Sequence, residues 1–205
     1  MIGLSWIFAS GRAELPSHHF WNRIFADTGF ALLCLTLMIG PAARFLPIFN
    51  PLLPWRRELG IAFLVAAVLH VLIYADGIEW NLLKFFVDTE GHHHPVLLQN
   101  AYAVANWIGV VALLYGIILA LTSNNFSQQL LGKGWKFLQQ QSYTLFILLV
   151  LHTGVLLYLA MQSGYGVFRP VFWSLTILTI TLQFAGYIQT IRQYKQSRHQ
   201  DNNQS

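Results

Sequence analysis

Five apolar stretches, each long enough to cross a membrane, constrain the fold of this chain more than any other feature of its sequence. A hydrocarbon layer about 30 Å thick is spanned by roughly 20 apolar residues in a helix. Hydrophobic residues make up 55% of the 205 residues and charged residues only 10%, which is unlike a soluble globular domain. We therefore predict an all-α integral membrane bundle of about five transmembrane helices, named spans A to E. They are placed at residues 23–42, 57–75, 99–122, 140–162 and 169–191.

The segments between the spans are rich in turn-forming residues, which favours one helical bundle over several domains. Pro41 at the end of span A and three further prolines mark the break before span B, and two glycines precede span E. We predict three parts: an interfacial arm at 1–22, a single transmembrane bundle at 23–191 and a disordered cytoplasmic tail at 192–205. The apolar start of the arm is too short to span a membrane and lacks the basic residues that open a signal peptide. The polar composition of the tail is typical of disorder.

The distribution of Lys and Arg predicts the orientation of the bundle. Eight of the twelve lie in the A–B loop, the C–D loop and the tail, whereas six of the eight acidic residues lie on the other side. The positive-inside rule then places the N-terminus outside and the C-terminus in the cytoplasm. The net charge of +4 reflects this topology and contact with anionic lipid, and it requires no nucleic acid partner. We expect a multi-pass protein of the inner (plasma) membrane.

Two histidines lie deep inside apolar runs, His70 in span B and His152 in span D. Ionisable side chains within a membrane are costly and usually functional. In the predicted topology both spans start at the cytoplasmic face, near Arg57 and Lys136. Counted from these two basic residues at about 1.5 Å per residue, the histidines lie roughly 20 and 24 Å from that face, in the outer half of the bilayer. Two neutral imidazoles at matched depth on different helices predict one shared heme iron.

The residues alone leave a structural alternative open, in which the two histidines are unrelated and each is bonded to a backbone carbonyl or a serine. The spans contain no Ser-His-Asp grouping and no paired carboxylates, so we predict no catalytic residues in the chain itself. The glycine groupings at 132–134 and 164–166 do not open a βαβ unit. Any flavin would therefore come from a partner subunit.

Three segments of the chain carry a resemblance to a known family: TGFALLCLTLMIGPAARF, RRELGIAFLVAAVLHVLIY and ALTSNNFSQQLLGKGWKFLQQQSYTLFILLVLH. From about Asp27 to the end of span D, the chain resembles the ferric reductase-like transmembrane domain family. Within it, the chain is similar to the heme-binding membrane subunits of methionine sulfoxide reductase systems. The resemblance implies a b-type heme protein that relays electrons across a membrane, with His70 and His152 as the axial ligands. The comparison of depths leads to the same pair.

The chain departs from the family pattern at the positions of a second heme. The resemblance implies, for the wider family, two stacked hemes held by pairs of histidines about four helical turns apart on each of two helices. Here Arg56 stands about four turns before His70, and Gln139 about four turns before His152. Arginine stays protonated, and an amide is a poor ligand for heme iron. We therefore predict one heme b, unless a partner supplies a ligand, and expect that a counterpart of the relatives' first membrane helix is missing.

Other side chains are candidate contacts of that heme or of a flavin. Tyr74 lies four residues after His70 on the same helical face, so it is a candidate contact of a heme propionate or, alternatively, an interfacial tyrosine. Arg56 and Arg57 are candidate contacts of a propionate or a flavin phosphate. Both arginines are also explained as anchors at the membrane surface.

A run of histidines in the B–C loop, predicted to lie outside, is a speculative metal site. His92, His93 and His94 follow two carboxylates in the sequence VDTEGHHHPV. Imidazoles near carboxylates suit zinc, copper or nickel. Three consecutive histidines do not easily face one ion, so a solvated loop or a partner contact stays the alternative.

Together these features predict a membrane b-type cytochrome subunit that relays electrons through one bis-histidine heme in the outer half of the bilayer. The iron lies too far from the cytoplasmic edge for a comfortable direct transfer, so quinol or a redox partner is the expected donor, and the acceptor is expected outside. If the chain is part of an enzyme, it is an electron-transfer subunit of a membrane oxidoreductase with no complete active site of its own. The alternative is a structural or accessory subunit of a larger membrane complex, with heme structural or absent.

Overall fold

The structure is a computed structural model that describes residues 17–81, 96–160 and 168–202. Every regular element within these ranges is a helix, and no strand occurs in them. The α-helices are α1 (Ser17–Phe45), α2 (Trp55–Gly77), α3 (Val96–Leu121), α4 (Asn125–Leu131), α5 (Lys133–Gln140), α6 (Ser142–Val155) and α7 (Phe168–Asn202). A 3₁₀-helix, Pro47–Leu52, joins α1 to α2, and a π-helical turn, Leu156–Ala160, continues α6.

The described residues form five helical segments that are long and apolar enough to cross a membrane. The prediction of an all-α membrane bundle is confirmed, and the chain is a multi-pass membrane protein. Spans A, B and C correspond to α1, α2 and α3. Span D corresponds to α6, which begins two residues after the predicted start, and it is less regular than predicted at its end, where it continues into the π-helical turn.

The last helix continues further than the sequence predicts. α7 extends to Asn202, so residues 192–202 are helical where a disordered tail is predicted. Gln, Arg and Lys, which favour helix, make up much of this segment, and each residue added to an existing helix avoids the cost of nucleation. Residues 17–22 of the predicted arm belong to the start of α1, and residues 1–16 lie outside the described residues.

Helix α1 forms the centre of the bundle. In its membrane-crossing window 72% of the residues are buried, against 11–28% in the other four segments. It packs against α2, α6 and α7, while α3 packs against α6. The ring of Phe30 lies with its centroid 6.3 Å from that of Phe146 on α6 and 5.0 Å from that of Phe172 on α7. The core therefore surrounds α1, and the outer helices expose their apolar side chains as lipid contact requires.

A proline within α1 is matched by a polar side chain of α7. Pro41 has no backbone N–H, so the carbonyl of Leu37 lacks its usual partner one turn later in the helix. Gln183 replaces that donor, with its Nε2 bonded to the Leu37 oxygen at 2.6 Å. Gly186 lets α7 pass close by, since a Cβ there would lie only 3.1 Å from the Pro41 Cβ. Helices α1 and α7 are thus linked at the level where Pro41 interrupts the backbone hydrogen bonds of α1.

One end of the bundle, which we call the basic end, contains the C-terminus of α1 and the N-terminus of α2. The connection from α3 to α5 also lies at this end, and two hydrogen bonds stabilise it. Asn124 caps α4 by accepting from the Ser127 N–H at 2.8 Å, and Trp135 Nε1 donates to the Thr122 carbonyl at 2.9 Å. The described basic residues at this end are Arg44, Arg56, Arg57, Lys133, Lys136, Arg192 and Lys195.

Candidate functional site

His70 lies on α2 and is held by α1. Its Nδ1 is 3.0 Å from the backbone oxygen of Asn22, and Asn22 Nδ2 donates to the backbone oxygen of His70 at 2.7 Å. A carbonyl oxygen only accepts hydrogen bonds, so Nδ1 carries the proton and Nε2 carries the lone pair. Helix α1 therefore fixes both the tautomer and the orientation of this imidazole.

His152 lies on α6 and is held by α3 in a similar way. Its Nδ1 is 2.6 Å from the backbone oxygen of Ala105, so Nδ1 again is the donor. One turn further along α3, Gly109 leaves room for the imidazole. A Cβ on Gly109 would lie 2.8 Å from Cε1 and 2.9 Å from Nδ1 of His152. A side chain at this position therefore cannot coexist with the observed ring position.

The two histidines share one arrangement on different helices. In the neutral imidazole, each Nδ1 carries the proton that it donates to a carbonyl, so each Nε2 keeps the lone pair through which an imidazole binds a metal. Histidines that ligate metals usually donate their other ring N–H to a carbonyl, a carboxylate or water, which fixes the tautomer. Two such imidazoles on different helices are the donor set that a bis-histidine heme requires, so the residue types and their tautomers fit that cofactor.

The bonds at Nδ1 also match the structural alternative, in which each histidine only satisfies a backbone carbonyl. A neutral imidazole that donates from Nδ1 leaves Nε2 unprotonated in either interpretation. The two interpretations therefore differ in whether a metal binds Nε2, which the heme content of the purified protein measures directly.

Tyr74 lies one helical turn beyond His70 and is bonded to a residue that the sequence analysis did not select. Its hydroxyl is hydrogen bonded to the hydroxyl of Tyr102 on α3. Tyr102 precedes Ala105 by three residues and Gly109 by seven, so all three share one helical face. The sequence alone does not single out Tyr102, because its position on this face matters only once α3 is known to contact His152. The tyrosine pair joins α2 to α3 close to both histidines.

The residues at the predicted positions of a second heme also come together. Arg56, Arg57 and Gln139 line one cavity at the basic end. Arg56 Nε donates to the backbone oxygen of Thr36 at 3.0 Å, which ties the start of α2 to α1. The two positions that the family resemblance assigns to ligands of a second heme thus lie at one cavity, although neither Arg56 nor Gln139 has an imidazole.

The predicted metal site at His92, His93 and His94 lies outside the described residues. Within residues 17–81, 96–160 and 168–202, no group of three or more His, Cys, Asp or Glu side chains is arranged to hold a metal ion. The histidine pair is therefore the candidate site that the described part of the chain offers.

The fold and this site define a multi-pass helical membrane protein with two histidines on different helices, each bonded to a backbone carbonyl. The family model described as ferric reductase like transmembrane component matches residues 25–150. The chain belongs to this family. The matched range includes His70 and ends two residues before His152.

Curated relatives agree with this membership. A magnetosome protein, MamZ, of Magnetospirillum gryphiswaldense is 31% identical over 146 residues, which is 71% of this chain and 21% of the relative. The protein-methionine-sulfoxide reductase heme-binding subunit MsrQ of Salmonella paratyphi B is 33% identical over 135 residues, 65% of this chain and 60% of the relative. The MsrQ protein of Salmonella newport matches to the same extent. The chain thus spans about a fifth of the first relative and three fifths of the others, and no solved structure matches it.

Proposed function

We propose that this chain is a membrane electron-transfer subunit that holds one b-type heme between His70 and His152. The observation that carries the proposal is the pair of Nδ1–carbonyl bonds, to Asn22 and Ala105, which leaves both Nε2 atoms unprotonated. The relatives that are named heme-binding subunits support the cofactor. A heme held by these two residues would supply a one-electron couple of its iron.

In this proposal the protein residues orient and insulate the cofactor. The carbonyls of Asn22 and Ala105 hold the imidazole planes and raise the basicity of the ligands. The Tyr74 and Tyr102 hydroxyls lie at the edge of the site, where they are suited to bond a propionate. The apolar core around Phe30 keeps water away from the interior of the bundle.

The proposed orientation places the basic end in the cytoplasm, the N-terminus outside, and the heme in the outer half of the inner membrane. A heme at that depth exchanges electrons with quinol or a redox partner on one side and with an acceptor on the outer side of the membrane. We expect a partner subunit to supply the catalytic groups of the complete oxidoreductase. The metal content of the loop at His92, His93 and His94 is a separate question and carries no part of this proposal.

The decisive experiment measures heme on the purified protein. Reduced-minus-oxidised spectra and a pyridine hemochrome assay are recorded for wild type, His70→Ala and His152→Ala. His19→Ala, at an exposed position on α1, is the matched control. We expect about one heme b per chain in wild type and in the control, and loss of the bis-histidine spectrum in both other variants. Full heme content in either of them refutes the assignment of that ligand.

A structural subunit without redox function is the second candidate, since the backbone carbonyls satisfy both Nδ1 atoms without a cofactor. It predicts either no heme in wild type or a structural heme that quinol does not reduce. Reduction by quinol, followed at the heme absorption band, separates the two candidates.

A further inference from the structure

A cavity at the basic end of the bundle is separate from the histidine site. It lies between α1, the N-terminus of α2, the C-terminus of α3 and the junction of α5 with α6, and its volume is about 80 Å³. That is about half the volume of an engineered cavity in another protein, roughly 150 Å³, which holds one benzene ring. The cavity therefore has room for one compact chemical group.

The charged residues that line this cavity are positive. Arg56 and Arg57 line it, and none of the described lining residues is a carboxylate. Glu58, the next residue, is exposed and does not line the cavity. Helix α2 begins at Trp55 without a side-chain cap, which leaves the positive end of its dipole at the same place. An anionic group in the cavity is therefore compensated by two full positive charges and a helix N-terminus.

Several hydrogen-bond donors at the cavity are available to such a group. Arg56 bonds the Thr36 oxygen through Nε alone, and its two terminal nitrogens make no bond within the described residues. The side chains of Arg57 and Ser142 make no hydrogen bond or ion pair in that part of the chain. Gln139 Nε2 has only long contacts, of 3.3 and 3.4 Å, to two oxygen atoms at the C-terminal end of α3. Guanidinium groups bind phosphate through two parallel N–H bonds, so this donor set fits a phosphate group.

The walls of the cavity lead from these donors to the surface that faces lipid. Leu33 and Leu145 line its inner side and belong to the buried core. On α2, Ile61 lines the cavity and is 36% exposed, and Val65, one turn further on the same face, is 46% exposed. A ligand with its phosphate at Arg57 therefore continues over apolar surface. A soluble phosphate compound would place hydrated groups there at a cost in free energy, whereas an acyl chain would not.

We infer that this cavity is a specific binding site for the phosphate group of an anionic phospholipid, with Arg56, Arg57 and Gln139 as donors and an acyl chain along Ile61. Basic pockets between transmembrane helices recognise anionic head groups in this way. The site differs from the general attraction of basic residues to an anionic membrane, because it holds one lipid in a fixed place. It involves neither histidine and needs no heme, so it does not rest on the proposed function.

Lipid binding is tested by native mass spectrometry of the purified protein, titrated in detergent with dioleoylphosphatidylglycerol. Dioleoylphosphatidylcholine, which has the same acyl chains and no net charge, is the control lipid. Arg57→Gln removes one charge, and Gly60→Leu fills the cavity but keeps every charge, since a Cβ there meets only Thr36 Cγ2 at 3.9 Å. Lys133→Gln, which removes an exposed charge at the same end outside the cavity lining, is the matched control variant.

We expect one phosphatidylglycerol per chain in wild type and in Lys133→Gln, bound at least about tenfold more tightly than phosphatidylcholine. Both cavity variants should bind it at least about tenfold more weakly than wild type. Equal affinity for the two lipids overturns the inference, and so does a cavity variant that binds no more weakly than Lys133→Gln. Displacement of the lipid by an equal concentration of inorganic phosphate or flavin mononucleotide assigns the cavity to a soluble phosphate compound and also overturns it.

Discussion

Gly109 offers the sharpest test of the histidine site, because the site depends on the absence of a side chain there. In Gly109→Ala the new methyl group would lie 2.8 Å from Cε1 and 2.9 Å from Nδ1 of His152. Separations this short between such atoms force a rearrangement. The imidazole must rotate or α3 must move away from α6, and either change breaks the 2.6 Å bond from Nδ1 to the Ala105 oxygen.

The expected magnitudes follow from three separate effects. Alanine is better than glycine in a helix by about 1 kcal/mol, which alone favours the variant. Inserting a methyl group into a packed site costs about 1–3 kcal/mol, and leaving the Ala105 carbonyl or the imidazole N–H without its partner costs a similar amount. We therefore expect a net loss of roughly 1–5 kcal/mol in the free energy of unfolding. Loss of a bond that orients a ligating histidine lowers metal affinity by about 10- to 100-fold.

The assay compares Gly109→Ala with Gly134→Ala, which gains the same helix propensity at a position with no atom within 4 Å. Heme per chain is measured by pyridine hemochrome, and heme affinity by transfer to an apo-globin acceptor. Electron paramagnetic resonance of the oxidised protein reports the geometry of the two imidazoles. Wild-type heme affinity together with an unchanged resonance spectrum in Gly109→Ala would show that His152 does not bind iron from the position described.

Three further variants test other contacts of the bundle. Asn22→Ala removes the 2.7 Å bond to the His70 carbonyl, so we expect faster heme transfer to the same acceptor, and an unchanged transfer rate would contradict the positioning role of α1. The double variant Arg56→His, Gln139→His supplies imidazoles at both cavity positions, so the hemochrome count should rise from about one to about two per chain, while each single variant stays at one. Gln183→Leu leaves the Leu37 carbonyl unpaired and should lower the free energy of unfolding in detergent by about 1–2 kcal/mol. Gln189→Leu, which removes an exposed contact of 3.4 Å, is its control, and equal effects of the two would refute the role given to Gln183.

Hydropathy and the residues at segment ends predict the membrane helices well, because the requirement for internal backbone hydrogen bonds leaves helix as the only option for each span. α2, for example, is predicted at 57–75 and found at Trp55–Gly77. The threonines of α7 behave as apolar residues for the same reason, since Thr176 and Thr179 donate to the carbonyls of Phe172 and Leu175 in their own helix.

The sequence is less informative where tertiary contacts decide the local structure. The separation of α5 from α6 and the extension of α7 to Asn202 are not encoded in an apolar pattern. Spacing selects His70 and His152, but Asn22 and Ala105, whose carbonyls hold the two rings, lie on other helices, as does Gly109, which leaves room for His152. Identifying them requires knowing which helix faces which, and in a lipid-exposed bundle apolar periodicity does not mark the interior faces.

The contact between Gln183 and Leu37 has a consequence for how the protein is made. The two residues are 146 positions apart, and at a synthesis rate of about 5–20 residues per second Leu37 is made roughly 7–30 s before Gln183. During that interval the carbonyl exposed by Pro41 has no donor from its own chain, in a medium where an unmet backbone group is costly. Insertion machinery, trapped water or a temporary register must satisfy it. Helix α1, the most buried of the described membrane helices, is thus synthesised before α7 but has all its backbone hydrogen bonds only once α7 has inserted.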